Sequence, residues 1–129
     1  MIITESLPFN EIKSQLKKSD EIGIISCNAC ARLCKTGGPE MLKEISEKLK
    51  KDGFKIVDAD LIGIPCDFNQ LNKSQLHGNV QILLACDAGV YNLKKLFPNH
   101  KIISGTKTIG LGAHEGGNKI TLVDAVKAK

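Results

Sequence analysis

The apolar positions of this chain alternate between two periods, and that alternation predicts its elements. "LPFNEIKSQLKKS" sets Phe9, Ile12 and Leu16 on one helical face, with Pro8 near the helix start. "EIGIIS" is a short apolar run suited to a buried strand. "GGPEMLKEISEKLKKDG" repeats Met41, Leu42, Ile45 and Leu49 at helical spacing; Pro39 fits the first turn and Gly53 the stop. "FKIVDADLIGIP" is the next strand, and "CDFNQLNKSQLHG" a short helix with Asp67 as cap and Gly78 as stop. "NVQILLAC" is almost wholly apolar, as in a parallel strand covered on both faces. "AGVYNLKKLFP" is a helix presenting Val90, Leu93 and Phe97, and "HKIIS" a fourth strand. The tail from "GTKTIGLGAHEGG" onward is Gly-rich, with a short strand or helix near "ITLVDAV".

Strands alternating with helices imply right-handed crossovers. The expected fold is α/β: a three-layer open sheet, mostly parallel and flavodoxin- or Rossmann-like. The 129 residues suit a single domain, 1–129, with no repeat or linker inside it.

Composition narrows the function classes. Hydrophobic residues are 42% and charged residues 25%, ordinary for a globular chain. Aromatics are only 4%, with no Trp, so stacking platforms for bases are few. The net charge of +4 comes from lysines interleaved with glutamates on helix-like stretches, which reads as a solvated face and not a nucleic-acid patch. No apolar run approaches the ~20 residues needed to span a bilayer. The amino terminus lacks a secretory pattern, so a cytoplasmic location is expected.

In that compartment the five cysteines are expected to be reduced, and their odd number argues against a disulfide framework. Cys27, Cys30 and Cys34 follow the "IGIIS" strand as Cys-x2-Cys-x3-Cys. Cys66 follows the next strand, and Cys86 ends "VQILLA". In an open parallel sheet, ligand sites lie outside the carboxyl ends of the strands, so all five thiols map to one edge. Tetrathiolate zinc sites and iron–sulfur clusters both use such short spacings. Arg32 and Lys35 supply nearby positive charge, and backbone N–H groups of "TGG" and of the following helix start are expected to reach the sulfurs.

Blander readings stand beside this one. Cys86 at a strand end is also well explained as core packing. A dithiol at Cys27 and Cys30 is a third reading, which the third cysteine of the loop and the convergent Cys66 and Cys86 disfavour. His77, His100 and His114 lie outside the cysteine segments, and their absence there leans toward iron–sulfur over zinc without deciding it. Asp67 and Asp87, each following a cysteine, read as helix caps before catalysts. "GLGAHEGG" does not follow the first strand and is no dinucleotide fingerprint; a phosphate loop is absent.

The blocks "CNACARLCKTGG", "IPCDFNQL" and "LLACDAGV", in that order, resemble the amino-terminal cysteine domain of the small MetV-type subunit of methylenetetrahydrofolate reductases. "MIITESLPFNEI" and "IISGTKTIGLGAHEGG" look like the same region. The resemblance implies an iron–sulfur or zinc-binding accessory subunit, with an electron-transfer or assembly role in the one-carbon metabolism of anaerobes. Its implied partner is a flavin-containing reductase barrel subunit. On this analogy Cys27, Cys30, Cys34, Cys66 and Cys86 form the metal-binding set, four of them ligating a [4Fe–4S] cluster. Family members continue into a second cysteine-rich segment. This sequence ends at "ITLVDAVKAK" without one, so a second cluster is not expected. A structural zinc-binding interaction module without redox role is the alternative. Catalysis by the chain alone is not expected, because no flavin or folate site is recognisable.

Overall fold

A computed structural model describes residues 1–74 and 76–126. The chain runs β1 (Ile2–Ser6), α1 (Phe9–Lys13), β2 (Glu21–Cys27), α2 (Cys30–Leu33), α3 (Gly38–Lys51), β3 (Lys55–Ile62), α4 (Phe68–Leu71), β4 (Val80–Leu84), α5 (Asp87–Leu96), β5 (Lys101–Ser104), β6 (Thr106–His114) and β7 (Ile120–Ala125). The class is α/β, as the alternating periods imply. Four strands form a parallel sheet in the order β3-β2-β4-β5, and β1-β6-β7 form an antiparallel sheet. The expectation of one open, flavodoxin-like sheet does not account for those last three strands. Two of them, β1 and β6, were not foreseen: five residues before a Pro-led helix, and a stretch broken by Gly110 and Gly112, lack a clean strand signature.

Alternation along the central strands divides the core. Ile22 and Ile24 of β2 join Val80, Ile82 and Leu84 of β4, packing against Ile12 of α1 and Ile45 and Leu49 of α3. Ile25 and Cys27 join Leu83 and Ala85, packing against Leu71 of α4 and Leu93 of α5. Successive strand side chains face opposite ways, so these two clusters lie on opposite faces of the parallel sheet. All five residues of β4 are buried, which is why its sequence shows no alternation.

The helix ends mostly obey local chemistry. Pro39 lies in the first turn of α3, and Gly53 adopts φ +88 just past its end. Asp67 caps α4, its carboxylate accepting the Asn69 N–H at 3.0 Å. Two expectations fail. Asp87 does not cap α5: Cys86 occupies the N-cap position, and the Asp87 N–H is satisfied by Thr108 Oγ1 at 3.0 Å. Gly78 stops no helix, because α4 already ends at Leu71. Gly78 instead lies under the Glu21 carbonyl, where an added Cβ would be 2.3 Å from the oxygen.

The antiparallel sheet is stitched to the carboxyl edge of the parallel one. The Gly105 N–H donates to Leu83 O at 2.9 Å, and Thr106 Oγ1 to Ala85 O at 2.5 Å. On the β1 side the hydroxyls of Thr4 and Thr36 meet at 2.6 Å, both buried. Among the described residues, no helix is long and apolar enough to cross a membrane.

Candidate metal centre at the carboxyl edge

The parallel register fixes where the cysteines stand. Cys27, the last residue of β2, pairs with Ile62, the last of β3, while Ser26 pairs with Leu84, the last of β4. The chain leaves β2 toward β3 on one side, and leaves β4 toward β5 on the other. The carboxyl ends of β2 and β4 therefore flank the point where the winding reverses, which is where open α/β sheets form their crevice. Cys27 stands on one side of it and Cys86, two residues past β4, on the other.

A tight loop occupies this crevice. Cys30 opens α2 and Cys34 closes it. The chain then enters α3 through Gly37 and Gly38. A Cβ on Gly37 would lie 2.7 Å from Ala31 Cβ, 2.9 Å from Leu84 O and 3.0 Å from Cys27 O, so only glycine lets the backbone pass between the two strand ends. Gly38 has φ +77, and Ser26 Oγ donates to its carbonyl at 2.9 Å in the buried interior.

The five thiols differ in environment. Cys27 is buried, and its Sγ accepts the Ala29 N–H at 3.3 Å. Cys30, Cys34 and Cys86 are half-buried, and Cys66 is exposed. Cys34 turns toward β1, its Sγ 3.8 Å from the Ile2 carbonyl. Desolvation pushes the Cys66 thiol above its ordinary range, and the thiols of Cys86, Cys27 and Cys30 push it further.

Cys66 is well braced. It lies in the turn from Ile64 to Asp67, closed by Asp67 N–H to Ile64 O at 3.0 Å. The Ile64 N–H donates to Gln70 Oε1 at 2.9 Å. From α5, Asn92 Nδ2 donates to Pro65 O at 3.3 Å and to Cys66 O at 2.9 Å. Nothing in the sequence singles out Gln70 or Asn92, since an amide on a helix surface carries no motif.

Other expected contributors are placed elsewhere. The N–H groups of Thr36 and Gly37 both donate to Ala31 O, at 2.9 and 3.0 Å, and so do not reach a sulfur. Arg32 Nε donates to Asn28 O at 3.2 Å. His77 pairs with Asp58, His100 stacks on Phe97, and His114 contacts the Gly117 carbonyl. Among the described residues, no three His, Cys, Asp or Glu side chains form a ready-made metal cage. The five cysteines nonetheless all lie at or beyond the carboxyl ends of parallel strands.

The chain matches no protein-family model, no curated protein and no solved structure.

Proposed function

We propose that this chain is a metal-binding accessory domain whose thiols hold a [4Fe–4S] cluster, and that it serves a flavin-containing methylenetetrahydrofolate reductase in electron transfer or assembly. The observation that carries the metal reading is that Cys27, Cys30, Cys66 and Cys86 come from three separate segments, each at or just past the carboxyl end of a strand of the parallel sheet. The donor set fits the group. Thiolates are the ligands of such clusters, and an N–H donated to sulfur tunes their potential. Cys34, turned toward Ile2, is the fifth thiol and stands outside the ligating four. The role in one-carbon metabolism, the barrel partner and a cytoplasmic setting rest on the resemblance of the three cysteine blocks.

A bound cluster would supply one-electron transfer. The chain's own residues do the rest: Ala29 donates to a ligand sulfur, Gly37 admits the loop, and the Ile64–Asp67 turn presents Cys66. A zinc tetrathiolate without redox role is the second reading, favoured by a set of four thiols with no further site chemistry around it. Anaerobic purification followed by EPR of the reduced protein separates the two. A cluster signal supports the first; a colourless, EPR-silent protein with one zinc supports the second. Co-purification with a barrel-type folate reductase tests the partner.

A further inference from the structure

Asn92 lies outside every cysteine segment, yet it touches the one that is hardest to place. Cys66 is exposed and sits on a turn, where backbone freedom would scatter its thiol. Another cysteine of the same sheet edge, Cys86, is the N-cap residue of α5. Asn92 belongs to that same helix and reaches back to the turn. Two carbonyl oxygens, Pro65 O and Cys66 O, face the side chain, so only its NH2 end can serve them, and it has one N–H for each. The turn also lies close to the helix backbone: a Cβ on Gly89 would lie 3.3 Å from Pro65 Cβ.

We propose that Asn92 is a positioning residue of the thiol site, its carboxamide locking the Pro65–Cys66 peptides to α5 so that Cys66 is held in fixed relation to Cys86. The remaining braces, Gln70 and the Asp67 cap, hold the turn from its own following helix and cannot register it against α5. Removing the amide frees the turn to pivot while leaving both sheets and both cores untouched. The consequence for metal affinity rests on the metal-site reading above; the consequence for thiol placement does not.

The test uses the full reduced chain with Asn92→Leu, which keeps the shape and removes both donors, and Asn92→Ala as a second variant. Asn79→Ala is the control. It removes a hydrogen bond to the Glu21 N–H at the opposite edge of the sheet. Metal-free protein is treated with dibromobimane, and the Cys66–Cys86 cross-link is measured by peptide mass mapping. Co2+ affinity is measured in parallel by chelator competition. Both Asn92 variants are expected to lose the cross-link several-fold and to bind Co2+ about 10- to 100-fold more weakly, the range typical of residues that orient metal ligands. Asn79→Ala matches the parent in both. Unchanged cross-linking in both Asn92 variants, or an equal loss in Asn79→Ala, overturns the proposal. Loss of the cross-link in a chain whose parent binds no Co2+ upholds the positioning role and rejects the metal reading.

Discussion

The Cys34 thiol points at the Ile2 carbonyl of β1, 3.8 Å away. A strand from the antiparallel sheet thus takes up one of the five cysteines. Replacing Cys34 with Ser is expected to leave metal content unchanged. Replacing Cys27, Cys30, Cys66 or Cys86 with Ser is expected to abolish stoichiometric binding. Metal analysis of the five purified variants checks this, and a Cys34→Ser protein that loses its metal would contradict the assignment.

The same latch has a second component in the Thr4–Thr36 hydroxyl pair, which ties β1 to the cysteine loop in the buried interior. Thr36→Val strands the Thr4 hydroxyl and removes the bond from Thr36 Oγ1 to Ala31 O. The expected cost is about 1–3 kcal/mol, the penalty for an unpaired buried polar group. The double variant Thr4→Val/Thr36→Val is expected to cost less than the sum of the singles. Denaturant unfolding of the four proteins measures the coupling.

Gly37→Ala forces a methyl group against Ala31, Leu84 and Cys27 at once. Because two of those contacts are backbone oxygens of central strands, neither can yield cheaply. A loss of about 1–3 kcal/mol is expected, as for overpacked cores. A melting temperature equal to the parent's would show that the loop has room this geometry denies it.

Asp58 links β3 to the loop before β4. Desolvation alone would raise its pKa, but the His77 backbone N–H at 2.6 Å and ring at 3.1 Å prevail and hold the carboxyl below its ordinary range. A carboxyl lowered on folding stabilises the protein above its unfolded value, near pH ~4, and loses that contribution as pH falls through the folded value. Asp58→Ala is therefore expected to be less stable at pH 7, by on the order of 1 kcal/mol. That gap is expected to narrow below pH ~4. Unfolding curves at both pH values decide it; a constant gap would contradict the electrostatic origin.

Much of this arrangement was legible in the residues. Each strand of the parallel sheet followed from an apolar run, and the helical faces of Ile12, Ile45, Leu49 and Leu93 are the ones the cores use. The placement of cysteines at one edge followed from βα alternation alone. The antiparallel sheet did not: β6 pairs locally with β7 but is interrupted by Gly110 and Gly112, and β1 is held by a distant partner. Ile2 pairs with Leu111 across most of the chain, and no local period encodes that. The cap of α5 was misread because Asp87 is already the first residue of the helix behind Cys86, and its own N–H is taken up by Thr108 Oγ1 from the distant β6. Asn92 and Gln70 were invisible because their roles exist only after the Cys66 turn is folded against them.

The claim on which the rest depends is that four of these thiols hold a metal group. Anaerobic purification followed by quantification of iron, acid-labile sulfide and zinc tests it most directly. Iron and sulfide are expected in a fixed ratio per chain, all released in Cys66→Ser and retained in Cys34→Ser. A fully folded protein carrying neither iron nor zinc would contradict it.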